Sequence, residues 1–265
     1  PQLPPLSSPP PSPPAPPLSP GVRYVSPTDD LDAVLGAAAP GETFLLLDGT
    51  YAPAASNASS SNASSSRRRL DTVDGLVINK DTTLRALNPG QVTLDGQNLR
   101  RVLRITAGTV VLDGLIITRG RSANAGGAGI LVEGGTVSVK NCVLSSHSAL
   151  DVVLGAGLAY GGAIFVDGAT TVVTVEFSEI HSCDAFHGAG GVYINDGDVT
   201  FNDCYIHDNV CELANTGGIW VAGGTTTLNR NHVHRNIGWI GGGGVQVAGG
   251  NVATGRLIAN SNIFE

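Results

Sequence analysis

The chain of 265 residues is 42% hydrophobic and 14% charged, with 36 glycines and no methionine. Its glycines lack the three-residue period of collagen, and its hydrophobic share excludes disorder over most of the chain. The net charge is −7, with 12 basic and 11 acidic residues up to Lys140 but 3 basic and 11 acidic residues from Asn141 onward, so nucleic acid and anionic membranes are not expected as partners.

A proline-rich arm opens the chain at residues 1–21. Of the 15 prolines in the sequence, 11 lie between Pro1 and Pro20, and such runs favour an extended polyproline II rod. The segment resembles the Ser/Pro blocks of hydroxyproline-rich glycoproteins from plant and green-algal extracellular matrices. That resemblance implies hydroxylation and glycosylation at Pro9, Pro10, Pro11, Ser12, Pro13, Pro14, Pro16 and Pro17. The alternative is an unmodified linker.

Residues 22–265 are predicted to form the folded domain. Residues 29–38 are expected to form a helix that covers the open end of the core. A low-complexity loop is inserted at 52–70, and it carries glycosylation sequons at Asn57 and Asn62. These sequons, the lack of methionine and the lack of an apolar membrane span predict a secreted chain whose targeting segment has been cleaved.

A repeat begins at about residue 102 and continues to residue 265. Its steps are 27, 34, 28, 27 and 26 residues when each unit is anchored on an aliphatic residue. The anchors are Leu103, Ile130, Ile164, Val192, Ile219 and Val245. Glycine punctuation and short β-branched runs at this period are typical of a solenoid whose coils must stack to bury their apolar faces.

The register of this repeat predicts three short strands per coil and therefore three parallel sheets. The residues two places after the anchors form an inward aliphatic column. Its members are Ile105, Val132, Val166, Ile194, Val221 and Val247. Five places after most anchors stands a glycine, which predicts a corner with positive φ. The fold class is thus all-β, a parallel β-helix.

A polar ladder is predicted at another corner from Asn209, Asn236 and Asn262, with His147 and Cys183 at the matching place in earlier coils. Stacked amides at a corner satisfy one another and the turn backbone, so this ladder is interpreted as structural. Cys183 and Cys211 end adjacent coils and are the predicted disulfide. Cys142 and Cys204 share a column two coils apart, about 10 Å, which is too far to bridge.

The residues from Val22 to Glu265 resemble the pectin lyase-like right-handed β-helices. The stretch from Asp29 to Tyr51 resembles the helical cap, first strand and Gly-Thr-Tyr turn of that superfamily. The coils also resemble repeats of polymorphic outer membrane proteins, as in Gly161-Gly-Ala-Ile164 and Leu228-Asn-Arg-Asn231. Superfamily enzymes act on polysaccharides, but the motifs of polygalacturonases and alginate epimerases are absent. No catalytic residue is therefore assigned.

Three outward features are candidate sites. Phe165, Tyr193 and Trp220 each follow an anchor and should stack as an exposed row, here named the aromatic strip. Aromatic faces bind sugar rings and polyproline rods alike. The alternative is that a loop or the proline-rich arm covers the strip.

The second feature is a histidine column of His181, His207 and His234, which could bind a metal or simply be solvated. The third is an acidic column of Glu133, Asp167 and Asn195, which could attract Ca²⁺ or form a solvated edge. Otherwise no cofactor is predicted.

These features favour a non-catalytic glycoprotein of the extracellular matrix or cell surface, with glycans or other surface proteins as partners. The sequence ends inside a coil without a polar cap, so further coils or self-association through that end are expected. The alternative function is a polysaccharide lyase, epimerase or hydrolase, because one scaffold hosts both classes.

Overall fold

The computed structural model describes residues 21–52, 74–123, 126–150, 159–213, 216–248 and 255–265, apart from the side chain of Leu150. The proline-rich arm before residue 21 and the predicted glycosylation sites Asn57 and Asn62 lie outside the described residues. The regular secondary structure of the described residues consists of 29 short strands, paired in parallel, and one helix.

The strands before the regular repeat are β1 (Val22–Val25), β2 (Glu42–Leu46), β3 (Gly49–Tyr51), β4 (Asp74–Ile78), β5 (Thr82–Ala86) and β6 (Val92–Asp95), with the helix α1 (Leu31–Ala37) between β1 and β2. The next are β7 (Arg101–Ile105), β8 (Thr109–Asp113), β9 (Leu115–Thr118), β10 (Arg121–Ala123), β11 (Ile130–Val132), β12 (Thr136–Lys140), β13 (Val143–Ser145) and β14 (Ser148–Leu150).

The middle strands are β15 (Ile164–Val166), β16 (Val172–Glu176), β17 (Glu179–His181), β18 (Asp184–Ala185), β19 (Val192–Ile194), β20 (Asp198–Asn202), β21 (Tyr205–His207) and β22 (Val210–Cys211). The last are β23 (Ile219–Val221), β24 (Thr225–Asn229), β25 (His232–His234), β26 (Ile237–Gly238), β27 (Val245–Val247), β28 (Arg256–Asn260) and β29 (Ile263–Phe264).

These strands form four parallel sheets, of which sheets A and B extend from the first coils to the last and sheet D begins only at β10. Sheet A is β1-β2-β5-β8-β12-β16-β20-β24-β28, sheet B is β3-β6-β9-β13-β17-β21-β25-β29, sheet C is β4-β7-β11-β15-β19-β23-β27, and sheet D is β10-β14-β18-β22-β26. Three sheets were predicted, and sheet D is the addition. Its strands are only two or three residues long, so they leave no alternation of apolar and polar residues that a sequence could reveal.

The predicted register of sheet C is confirmed. Each anchor pairs with the next, from Leu103 through Ile130, Ile164, Val192 and Ile219 to Val245. The inward side chains of sheets A, B and C meet in one core, where Leu112 and Phe201 have no exposed surface, and alanines of sheet D pack in a second, small cluster. Since equivalent side chains lie one strand spacing apart, about 4.8 Å, each column of the core is a continuous apolar ladder.

The glycine corner is also confirmed at the positions that the structure describes. Gly108, Gly135, Gly197 and Gly224 all have positive φ. A Cβ on Gly135 would stand 2.3 Å from the carbonyl oxygen of Gly108 in the coil before. Backbones approach so closely at this corner that a side chain does not fit there.

The helix α1 lies inside the predicted range of 29–38. The Asp30 side chain accepts a hydrogen bond from the backbone N–H of Ala33, a standard N-cap contact. Leu31 and Leu35 on the inner side of the helix are buried and join the core cluster. That this helix serves as a cap for the core stays a prediction.

The predicted asparagine ladder is correct for two of its three members. Asn209 Oδ1 accepts from the backbone N–H of Cys183 at 3.1 Å, and Asn236 Oδ1 accepts from the N–H of Asn209 at 3.1 Å. His147 occupies the same place one coil earlier than Cys183 and accepts from the N–H of Gly120 at 3.0 Å. These corner side chains satisfy the backbone of the preceding coil.

Asn262 was assigned to the wrong ladder. Its Oδ1 accepts from the backbone N–H of Asn231 at 2.8 Å, so it belongs to the corner between sheets A and B. The two residues are 31 apart, against 27 for Asn209 and Asn236. Extra residues between β27 and β28 lengthen the last coil, and a count based on the usual period therefore placed Asn262 at the wrong corner.

The predicted Cys183–Cys211 disulfide is also wrong. Cys183 is level with Asn209, whereas Cys211 pairs in register with Ala185, two residues further along the chain. The structure forms no bond between the two sulfurs, and both side chains are buried. Burial raises the pKa of the Cys183 thiol to about 12, which makes it unreactive.

Candidate functional site

The aromatic strip lies on the outer face of sheet C, as predicted. Phe165 pairs in register with Tyr193, and Tyr193 with Trp220, on strands β15, β19 and β23. The ring centroids are 5.3 Å apart in the first pair, which meets edge to face, and 5.9 Å apart in the second, which is tilted. One aromatic ring therefore stands at each of three successive coils.

The strip is partly buried rather than fully exposed. Tyr160, from the segment that precedes β15, stacks on Tyr193 with centroids 4.6 Å apart and an interplanar angle of 21°. A Cβ on Gly188 would stand 2.6 Å from the Tyr193 ring, so the loop backbone approaches the ring directly. Burial, with a smaller effect of Tyr160 and Asp167, raises the pKa of Tyr193 to about 12. A loop thus covers one side of the strip, which is part of the alternative interpretation.

Hydrogen-bonding side chains of the acidic column border the strip. Asp167 and Asn195 stand two residues after Phe165 and Tyr193, and both are exposed. The Nδ2 of Asn195 donates to Oδ1 of Asp167 at 2.8 Å. The two side chains form a continuous polar edge next to the aromatic rings.

The earlier end of sheet C carries an ion-pair network that the sequence analysis missed. The Arg101 side chain is almost completely buried, pairs with Asp74, and donates to the carbonyl oxygens of Gly126 and Gly127. Arg104 bonds both Asp74 and Glu133, the latter at 2.7 Å. Because of these bonds, Glu133 is engaged by a cation while Asp167, one coil further, is not among the ion pairs of the described residues.

Two arginines of the later coils, Arg230 and Arg235, also form ion pairs. Arg230 donates twice to Asp203, at 2.8 and 2.6 Å, and Arg235 donates twice to Asp208 at the same distances. Each arginine is one coil from its partner and on the rim of sheet B. These bidentate pairs lower the pKa of Asp203 and of Asp208, the latter with a further contribution from His207.

The predicted histidine column exists on the outer face of sheet B. His181 and His207 stack with centroids 5.2 Å apart and an interplanar angle of 4°, and His207 stacks on His234 at 4.8 Å. The two nitrogens of His207 are 2.7 Å from Asp208 and 2.8 Å from Glu179. Burial, with the neighbouring His232 and His207, lowers the pKa of His234.

This stacking does not favour the predicted metal site. Parallel rings direct their nitrogen lone pairs side by side rather than toward one point. Among the residues described by the structure, no set of three or more His, Cys, Asp or Glu side chains is placed to hold a metal ion. The partners of His207 in the structure are the carboxylates of Asp208 and Glu179.

Two contacts of these faces escaped sequence reasoning. Tyr160 stands four residues before the anchor of its coil, and the residues at the same count in the neighbouring coils are Gly126 and Gly188, so no periodic aromatic pattern places it in the strip. His232 lies 4.3 Å from His234 between ring centroids, on the same strand face. The spacing of two residues in His232-Val-His234 is the signal that could have found it, because alternate residues of a strand share a face.

The comparisons with known proteins concern the fold. The family described as the right-handed β-helix region matches residues 91–265, about two thirds of the chain. Among solved structures, an arginine-to-alanine mutant of the PL6 family alginate lyase AlyGC is similar over 94% of this chain, at 14% identity and with a TM-score of 0.41. The matched region is 41% of that lyase chain, so this chain spans less than half of its length.

A search of curated proteins gave no match. The one helix in the described part of the chain, α1, is too short to cross a membrane. The family match agrees with the solenoid of stacked parallel strands and confirms the β-helix predicted from the coil motifs. The chain therefore belongs to the family of right-handed parallel β-helices.

Proposed function

We propose that this protein is a non-catalytic glycoprotein of the extracellular matrix or cell surface, whose rigid β-helix presents the aromatic strip to glycans. The observation that carries the proposal is the strip itself, with three rings on successive coils beside a polar edge. Aromatic rings stack on the apolar faces of sugars, and carboxylates and amides bind their hydroxyl groups. The strip offers both kinds of contact along one line.

The charged side chains around the coils support a binding role over a catalytic one. Sugar cleavage requires an acid and a base that converge on one bond, or a base beside a bound cation. In the described coils two of the three later arginines, Arg230 and Arg235, are in bidentate pairs with aspartates one coil away. Those groups stabilise neighbouring coils and are not directed at a common point above the surface.

The remaining parts of the proposal rest on the sequence. The proline-rich arm would act as a glycosylated spacer, and glycans at Asn57 and Asn62 would mark the secretory route. Matrix proteins or a second copy of the chain are further partners in this proposal. A requirement for Ca²⁺ is not part of the proposal.

The test combines binding and turnover on the same preparation. The full chain is applied to an array of plant and algal polysaccharides, and hits are measured by titration calorimetry with soluble oligosaccharides. Trp220→Ala should abolish detectable binding, since a stacking aromatic contributes about 1–3 kcal/mol of a weak contact. The matched control is Trp239→Ala, because Trp239 is the other tryptophan and is 79% exposed outside sheet C.

The same polysaccharides are then incubated with the protein and Ca²⁺. New unsaturated ends, new reducing ends or altered uronate stereochemistry would establish the alternative, a polysaccharide-active enzyme, and would refute a non-catalytic role. Binding that persists unchanged in Trp220→Ala would refute the strip as the contact.

A further inference from the structure

The spacing of the aromatic strip matches a glycan chain that runs parallel to the solenoid axis. Successive coils are about 4.8 Å apart, which is comparable to the length of one pyranose unit. Phe165, Tyr193 and Trp220 would then meet three successive sugar rings, one at each coil. The strip is thus matched in period to a linear glycan.

The charge beside the strip discriminates between kinds of glycan. Asp167 is exposed at the edge of the strip, and its side chain accepts a hydrogen bond from the neutral amide of Asn195. The partly exposed Asp196 follows Asn195 at the corner, and the exposed Asp198 begins β20 of sheet A just beyond it. Carboxylates accept hydrogen bonds from sugar hydroxyls but repel the carboxylate or sulfate groups of acidic glycans.

No arginine or lysine of the later coils offsets this charge on sheet C. After Lys140 the sequence contains three basic residues, Arg230, Arg235 and Arg256. They lie next to or on sheets A and B, and the first two are paired with aspartates. The nearest basic residue on sheet C is Arg104, which Asp74 and Glu133 already hold.

We propose that the aromatic strip selects neutral glycans, that is, linear chains of uncharged hexose or pentose units, over glycans with carboxylate or sulfate groups. This inference rests on the glycan contact of the proposed function and adds the class of ligand. The rings supply stacking energy that is indifferent to charge, and Asp167 with Asn195 supplies the selection.

The experiment uses pairs of oligosaccharides with the same backbone. Neutral galactan and cello-oligosaccharides are compared with their C6-carboxylate forms of equal length, by calorimetry with the full chain at low salt. The neutral member should bind about ten-fold more tightly or better, and the difference should shrink at high salt as the repulsion is screened. Quenching of Trp220 fluorescence, measured in Trp239→Phe, reports binding at the strip.

Substitutions separate the two parts of the inference. Asp167→Asn keeps the shape of the side chain and its hydrogen bonds but removes the charge. It should raise the affinity for the acidic oligosaccharide of each pair and change the affinity for the neutral oligosaccharide by no more than about two-fold. Asp32→Asn, in the exposed first turn of α1, removes the same charge beside β4, three strands of sheet C before Phe165, and should change neither affinity.

Each outcome has a distinct meaning. Binding of acidic members that equals or exceeds binding of neutral ones, and that is lost in Trp220→Ala, overturns the selection but leaves the glycan contact intact. Failure of every glycan to bind refutes the glycan contact of the proposed function as well. Binding at the strip of a peptide with the sequence of residues 8–17, without any glycan binding, would assign the strip to proline-rich segments instead.

Discussion

The coils before and after Leu150 meet the same structural demands with different chemistry. In the earlier coils, sheet C carries the buried Arg101 and its partner Asp74, and one corner is filled by His147. In the later coils, sheet C carries aromatic rings, and the corresponding corner is filled by Asn209 and Asn236. The difference teaches that a β-helix fixes which backbone groups need a partner, while the identity of that partner is free to vary.

The two halves should therefore differ in their tolerance of substitution. An amide or an aromatic ring in the later coils can be lost without leaving a charge behind. A buried guanidinium depends on its carboxylate, because an unpaired charge in the interior is costly. Substitutions that remove one partner should expose this difference.

The largest expected effect is that of Asp74→Ala in the earlier half. It leaves Arg101 charged with a side chain that is only 4% exposed, so the free energy of unfolding should fall by about 3–5 kcal/mol. Urea denaturation followed by circular dichroism measures the loss. The matched control is Asp203→Ala, whose partner Arg230 is 59% exposed and should be only slightly affected. Equal losses in the two variants would contradict the contrast between the halves.

The second prediction concerns His147→Asn, which places at the corner of the earlier coils the residue type that fills it in the later coils. Burial lowers the pKa of His147 to about 3, whereas in the unfolded chain the imidazole has its ordinary value of about 6.5. Between about pH 6.5 and pH 3 the imidazole is protonated in the unfolded state but not in the folded state, so the free energy of unfolding falls as the pH falls. From pH 7 to pH 4 this contribution is about 3 kcal/mol.

His147→Asn should therefore flatten the decline in stability below pH 6.5, since asparagine does not titrate. Thermal or urea unfolding measured from pH 7 to pH 4 tests this. His181→Asn, on the partly exposed histidine column, is the control that should keep the decline of the parent protein. Parallel pH profiles for the parent and His147→Asn would show that the corner histidine does not govern acid stability.

The smallest expected effect is that of Cys204→Asn, which extends the ladder of corner asparagines by one coil. Cys204 lies one coil before Asn231, whose Oδ1 accepts from the N–H of Cys204 at 2.9 Å. Its thiol is a weak donor to the carbonyl of Val175 at 3.4 Å, and an amide there would donate and accept more strongly. A gain of about 1 kcal/mol is expected, measured as a rise in melting temperature. Cys204→Ala should lower it, and a fall in both variants would show that the site has no room for an amide.

The sequence predicted the fold because its aliphatic columns are regular. Anchors such as Ile164 and Val192 mark the inward face of each coil regardless of the steps between them. The same reasoning failed for Asn262, because a polar ladder has to be located by counting and the last coil is longer. It failed for Cys211 because two residues along a strand decide whether two side chains are level.

The candidate site could be predicted in part. The strip of Phe165, Tyr193 and Trp220 follows directly from the anchors, as does the stack of His181, His207 and His234. What could not be derived is how much of the strip a loop covers, because the neighbouring coils have no aromatic residue four places before their anchors, where Tyr160 stands in its own coil. The pairing of Arg101 with Asp74 was also missed, because a charged residue inside a strand pattern gives no sign that it is buried.

The unequal steps between anchors show that coils of different length fit into the same solenoid. Closing a coil of 34 residues instead of 27 costs only roughly 0.2 kcal/mol of chain entropy, because the cost grows with the logarithm of the length. Each coil contacts the coil before and the coil after it, so extra residues at a corner disturb no distant part of the structure. The solenoid can therefore accept insertions between its strands, as after β3 and β14, while its columns keep the register.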